Sequence, residues 1–310
     1  MAETIRSVNL DADQTMFFQR ELEHIKSRTY DIRYAELKAR SLIPVSGEAG
    51  PGAESITYYQ YDMVGVAKII ANYATDLPRA DVRGKKFTSP VESLGASYGY
   101  SVQDIRAAAK AGKPLEQRKA NAARRSIEQQ INTIALFGNA DHNLPGFLNN
   151  ENVPVASVAA DGTGSSTEWS TKTPDQVVRD MNALANGIVS TTKGAEVPTT
   201  LLLPLSQFTY IASTRMGDGS DTTILKFFLE NSPFIREVDW VNELDGAGSG
   251  GADIMVAYRR DPDALTLEIP QDFEQFPAQE QGLEFVIPCH TRIGGVIFYY
   301  PLSASIGEGI

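Results

Sequence analysis

The chain has 310 residues, 42% of them hydrophobic, enough for a core that buries about three-quarters of the unfolded surface. Its 28 Lys and Arg against 39 Asp and Glu leave a net charge of −11, which argues against wrapping nucleic acid and against docking on an anionic membrane. A single cysteine, Cys289, excludes an internal disulfide and a cysteine-built zinc site. The first residues show no basic stretch followed by an apolar run, and no apolar segment reaches the ~20 residues of a membrane span. A soluble, acidic protein of a reducing compartment is expected, without signal peptide.

In chain order, residues 13–40 read as helix in their first half, with Phe17, Leu22 and Ile25 near one face. Their balanced charges suit an arm lying on something else as well as a core helix. Leu42-Ile-Pro-Val45 then breaks into a Gly/Pro/Ser loop over 46–55. Ile56 to Asp62 alternates as an aromatic-rich strand, and Phe87 to Tyr100 is the next strand-like stretch. Between them, Asp76 to Lys86 is polar and turn-forming. Two readings stay open: a long two-stranded excursion, or two strands of one sheet flanking a helix from Met63 to Thr75. An isolated hairpin is marginal in water.

Ser101-Val-Gln-Asp104 matches a capping box that opens a short helix through Ala109, ended by Gly112. Pro114 suits the first turn of a long helix through Phe137, with Ala120, Ala123, Ile127, Ile131 and Ile134 on one buried face. A polar loop follows Gly138. Thr173-Pro-Asp-Gln176 is a second capping box, for a helix whose apolar face runs from Val177 to Ile188, with Gly194 at its end. A buried strand is expected at Thr200–Leu203 and a helix capped by Ser206 to Ser213. Another helix is expected near 222–230 and a strand near 235–241. Strands then dominate: 254–258, 265–269 and the long run 283–300. The absence of a strand–helix–strand rhythm predicts an α+β fold.

The chain offers little catalytic chemistry. His24, His142 and His290 are dispersed. Cys289 and His290 are neighbours in a predicted strand, where adjacent side chains point to opposite faces, so they cannot serve as nucleophile and base. Gly246 to Gly251 matches the dinucleotide-binding glycine pattern, yet it leads into a strand rather than a helix that could hold a pyrophosphate. The charge layout is more informative. Arg79, Arg83, Lys85 and Lys86 cluster at the expected turn of the excursion. Asp261, Asp263, Glu268, Asp272, Glu274, Glu280 and Glu284 form an acidic stretch without Lys or Arg. Both read equally as solvated surfaces.

Arm, excursion, short helix, long helix, glycine-bounded loop, mixed segment, acidic loop and returning strands come in an order that resembles the major capsid proteins of tailed bacteriophages. This is the Hong Kong phage-type fold, shared with encapsulins. Leu42–Val45 looks like the exit from the N-terminal arm, Ile56–Tyr100 like the E-loop, and Lys113–Phe137 with Gly138 like the spine helix of the P-domain. Leu144-Pro-Gly-Phe-Leu-Asn149 resembles the element after that helix, Thr173–Gly194 with Leu201–Pro204 the start of the A-domain, and Leu283–Tyr300 the returning P-domain strands. Residues 98–108 and 257–277 look most like members lacking a large N-terminal scaffolding extension.

The resemblance implies an N-terminal arm at 1–53, an E-loop at 54–99, a first P-domain part at 100–172 with its spine helix at 114–137, an A-domain at 173–253, and returning P-domain strands at 254–310. It implies a structural shell protein without enzymatic activity or cofactor, forming the hexamers and pentamers of an icosahedral virion around DNA held only by non-specific proximity. Assembly in the host cytoplasm with a separate scaffolding protein and a portal is expected, without a membrane. Some relatives cross-link an E-loop lysine to a neighbour's asparagine. Here Asn242 is the only asparagine between Val241 and Glu284, so non-covalent assembly is expected. Arg79, Arg83, Lys85 and Lys86 are expected to meet a neighbour's Asp272, Glu274 and Glu280. The alternatives are an encapsulin-like compartment enclosing cargo enzymes and a soluble enzyme with a dispersed site.

Overall fold

A computed structural model describes residues 34–69, 78–111, 117–217, 219 and 221–310. The helix expected around Phe17, Leu22 and Ile25 lies outside them, as do His24 and the span 70–77. The described chain begins its regular structure with α1 (Ala39–Leu42) and β1 (Val45–Ser46), followed by β2 (Ser55–Val64), β3 (Asp81–Pro90) and β4 (Glu92–Ser101). Next come α2 (Val102–Ala111), α3 (Gln117–Phe137), β5 (Val155–Ser157) and α4 (Pro174–Thr191). Then follow β6 (Thr200–Leu203), α5 (Leu205–Ser213), α6 (Ile224–Asn231), β7 (Glu237–Trp240) and β8 (Ile254–Tyr258). The last strands are β9 (Leu265–Glu268), β10 (Gln271–Gln275), β11 (Gln279–Gln281), β12 (Glu284–Ile293), β13 (Gly295–Phe298) and β14 (Ala304–Glu308).

Local capping chemistry acts where the sequence places it. Ser101 Oγ accepts the Asp104 N–H at 3.0 Å, and Asp104 accepts the Ser101 N–H at 3.2 Å, opening α2. Thr173 and Gln176 close the reciprocal box at the start of α4. Gly194 (φ +84°) returns its N–H to Val189 after that helix. The expected cap by Ser206 is not made: α5 begins at Leu205, so Ser206 lies inside its first turn, and the N-cap position is held by Pro204, which offers no side-chain acceptor.

The long helix α3 buries Ala123, Ile127, Ile131 and Ile134 as its spacing predicts. It stops at Gly138 (φ +69°), where a Cβ would stand 2.6 Å from the Leu144 carbonyl oxygen. The loop after it returns onto the helix end. Phe147 and Leu148 donate their N–H groups to the carbonyls of Ala135 and Leu136, both at 2.8 Å, so the Pro-Gly turn satisfies acceptors that a helix terminus leaves open.

A five-stranded sheet in the order β5-β14-β8-β6-β7 lies between two cores. Ile254, Val256 and Tyr258 of β8 and Leu202 of β6 face the core that holds α3. Met255, Ala257, Leu201 and Leu203 face the core that holds α4, α5 and α6 around Trp169, Met181 and Phe228. A strand apolar at every position is what burial on both faces requires.

The segment 38–46 is a central strap. Lys38 Nζ donates to Asp239 (2.7 Å) and to the Trp240 carbonyl (2.8 Å). The buried Asn132 accepts the Ala39 N–H at 3.0 Å and donates to Glu243 at 2.7 Å. Tyr258 donates its hydroxyl proton to the Leu42 carbonyl at 2.8 Å. At the end of the strap, β1 pairs parallel with β9.

Candidate assembly surfaces

β2 and β3 pair antiparallel over their full length, from Ser55 opposite Pro90 to Val64 opposite Asp81. Of the two open readings, this is the excursion, with its second strand placed earlier than expected. Phe87 to Tyr100 is not one strand. It divides at Val91: its first part ends the hairpin, and Glu92–Ser101 pairs with β12 from Ile293 to Glu284. The polar stretch Asp76–Lys86, expected as a turn, is strand from Asp81 onward, because cross-strand hydrogen bonding outweighs the turn preference of its side chains.

This moves the basic cluster off the tip. Arg83, Lys85 and Lys86 stand along β3, opposite Asp62, Gln60 and Tyr59, and Arg79 precedes the strand; all four are exposed. Alternation puts Arg83 and Lys85 on one hairpin face and Lys86 on the other. Lys85 Nζ lies 4.7 Å above the Phe87 ring. On that face Tyr58 and Phe87 stack at 5.1 Å, and Tyr58 meets Tyr299 edge-on at 5.0 Å, which anchors the hairpin base. The opposite face bears Tyr59, Tyr61, Met63 and Val82, with Tyr59 59%, Tyr61 66% and Met63 86% exposed. Val66 and Ile69 beyond β2 are exposed as well.

The stretch expected as an acidic loop is sheet: β10 and β11 both pair with β12. Its carboxylates divide by partner. Glu268 is buried and accepts from Thr266 at 2.6 Å. Asp261 accepts from Arg259 at 2.9 Å. Asp272 accepts from Arg40 at 2.9 Å. Burial works to raise its pKa, but the Phe273 N–H and the Arg40 guanidinium outweigh that and hold it below the usual carboxylate range. Glu274 accepts from Gln271, and Glu280 is exposed on β11. The intramolecular Arg40 pair was not visible in the sequence, since 232 positions separate its members.

Elsewhere, Cys289 is buried and the adjacent His290 half-exposed on alternating sides of β12, with burial pushing the Cys289 thiol pKa up. The glycine loop is a turn closed by Gly246 donating to Asp253 at 3.0 Å, and it leads into β8. Among the described residues no group of three His, Cys, Asp or Glu could hold a metal ion, and no helix is long and apolar enough to cross a membrane. A hollow of about 860 Å³ beside the hairpin base is lined by Tyr58, Phe87, Asn150 and Phe298, with Lys85 and Glu151 also on its wall.

The fold has known counterparts. It is similar to the capsid of the Myoviridae phage XM1 at a TM-score of 0.78 and 18% identity, covering 94% of this chain and 98% of that one. The capsid of an empty GTA particle matches at 0.65 and 11%, covering 97% and 99%. A virus-like particle from Pyrococcus furiosus matches at 0.55 and 13%, covering 86% and 91%. No curated protein sequence matches. A family model described as major capsid protein matches residues 65–310, which does not favour the encapsulin-like alternative. With that match over most of its length, the chain belongs to the major capsid protein family, and is a structural, non-enzymatic protein of the capsid shell.

Proposed function

We propose that the chain forms the hexamers and pentamers of an icosahedral virion around packaged viral DNA, each copy laying its β2–β3 hairpin over a neighbour. The observation that carries this is the exposed row Tyr59, Tyr61, Met63 and Val82 on one hairpin face. A contiguous apolar surface of this kind on a two-stranded element marks a protein–protein contact. The arm, E-loop, P-domain and A-domain divisions carry over from the sequence reading, with the E-loop ending near Pro90. Assembly proceeds in the host cytoplasm, without covalent cross-links, with a scaffolding protein and a portal as further partners.

The basic residues of the hairpin supply register. Arg79, Arg83, Lys85 and Lys86 meet the neighbour's acidic sheet, chiefly at Glu274 and Glu280, since Asp272 is held by Arg40 within its own subunit. Exposed pairs of this kind contribute about 0–1 kcal/mol each, and repetition around a shell makes their sum matter. The test replaces Lys85 and Lys86 with Glu, then adds Glu274→Lys and Glu280→Lys. Negative-stain microscopy should show fewer, salt-sensitive particles for the first variant and partial recovery for the second. Undiminished particle yield for Lys85→Glu/Lys86→Glu at low salt overturns the contact.

A further inference from the structure

The helix α2 is held weakly by its own subunit. It has ten residues, and none of the side chains described in it is buried. Its apolar stripe, Val102, Ile105 and Ala109, has the spacing of a packed face, yet Val102 and Ile105 are half-exposed and Ala109 is exposed. Helices shorter than about 12–15 residues are marginal in water without packing. What fixes α2 is polar: the Ser101–Asp104 cap, the Val102 N–H donating to the Leu283 carbonyl at 2.9 Å, and Lys119 Nζ 3.8 Å from Asp104.

The side chain of Leu283 is 80% exposed, the most of any large hydrophobic residue described outside the hairpin and its continuation. It lies in the turn between β11 and β12, beside the pairs Glu280–Phe285 and Gln281–Glu284. Glu284 also pairs with Ser101, the residue before α2. Leu283, the exposed Glu280 and the start of α2 therefore share one end of the sheet. Arg106 and Lys110, exposed one turn apart, border the stripe of the helix.

The hairpin supplies what that end lacks. Its face of Tyr59, Tyr61, Met63 and Val82 also carries Lys86, which stands opposite Tyr59. Tyrosine and methionine serve as interface anchors, and a guanidinium such as that of Arg106 is attracted to tyrosine rings. Lys86 is opposite in charge to Glu280. One copy does not bring the two patches together: β4 starts just after the hairpin ends and α2 follows its last residue. The ten residues of β4, about 33 Å of strand, lie between them. A contact between two different patches on successive copies is head-to-tail, the kind that closes into rings.

We propose that α2 and Leu283 form the seat on which the next copy's hairpin rests, and that this contact gives α2 the packing its own subunit withholds. This rests on the reading that the hairpin crosses a neighbour. Tyr59, Tyr61 and Met63 cover Leu283 and the Val102–Ile105–Ala109 stripe, Arg106 lies against the tyrosine rings, and Lys86 meets Glu280.

The test compares hydrogen exchange, read by mass spectrometry, in the unassembled subunit and in assembled particles. Exchange over 102–111 should slow by about tenfold or more on assembly. In a second arm, particles of Val82→Cys/Ala109→Cys are treated with a short bismaleimide; Cys289, the native cysteine, is buried. Each chain then carries one reactive group in either patch, so a denaturing gel should show a ladder of multimers. Val82→Cys and Ala109→Cys alone should run as single chains, and Met63→Cys/Ala109→Cys repeats the ladder from the neighbouring strand. The proposal is overturned by unchanged exchange in α2. It is also overturned by slowed exchange without a ladder from either pair, which would assign the helix to another partner such as a scaffolding protein. The exchange arm uses the parent chain, so it decides whether α2 is covered even where a variant assembles poorly. Normal shells by microscopy with either negative result overturn this seat and leave the capsid reading intact.

Discussion

Tyr59→Ser/Tyr61→Ser separates the stability of the subunit from the stability of the shell. Aromatic side chains carry roughly 200 Å² each, so exposures of 59% and 66% leave about 250 Å² of ring surface available to a neighbour. At about 25 cal/mol/Å² its complete burial is worth ~6 kcal/mol, and covering half of it ~3 kcal/mol per subunit. The rings do little for their own chain: they stack on each other at 6.4 Å, and Tyr61 lies over Gly84 across the hairpin, pairings worth ~0.2–1 kcal/mol each. Sedimentation over a concentration series should therefore show the assembly threshold rising by about a hundredfold. Thermal unfolding of the unassembled subunit should change little, and Tyr59→Phe/Tyr61→Phe should assemble as the parent does. An unchanged threshold for the serine variant would refute burial of this face.

Two further predictions concern the cluster at the start of α4, where Lys172, with its side chain fully buried, lies 2.5 Å from Asp180 and 3.5 Å from Asp161. Lys172→Met should destabilise the subunit, by less than the ~3–5 kcal/mol of a fully orphaned buried charge, because the buried Asp180 carboxylate loses its lysine and keeps only Arg179 at 3.1 Å; a denaturant midpoint near the parent's would count against a charged pair there. Burial works to raise the pKa of Asp161, but the hydrogen bond and charge of Arg179, together with Lys172, outweigh it and leave the group below its ordinary range. Since its folded pKa lies below its unfolded one, the stability it adds is complete above the unfolded pKa and is lost as pH falls through the lowered folded value. Asp161→Asn should make the acid-unfolding limb shallower below about pH 4, and a limb identical to the parent's refutes the linkage.

What the sequence determined by itself is whatever rests on neighbours in the chain. The two capping boxes, the α3 stripe from Ala123 to Ile134, the glycine stops at Gly138 and Gly194, and the uninterrupted apolar runs of β6 and β8 are local signals, and they set those elements to within a few residues. The order of these elements was enough to carry the family resemblance. Tertiary structure decided what depends on a distant partner. The break at Val91 is one case: Phe87–Pro90 and Glu92–Tyr100 read as one strand-like stretch, and only their pairing, with β2 and with β12, assigns one to the hairpin and the other to the body. β10, β11 and β14 are polar or small-residue segments that became strands because a neighbouring edge offered hydrogen bonds. The Arg40–Asp272 pair, the strap through Lys38 and Asn132, and the split of the basic row between two hairpin faces arise the same way. The period of a helix is written along its own residues, whereas strand register and long-range charge pairing are properties of two segments at once, and one-dimensional pattern does not contain the second.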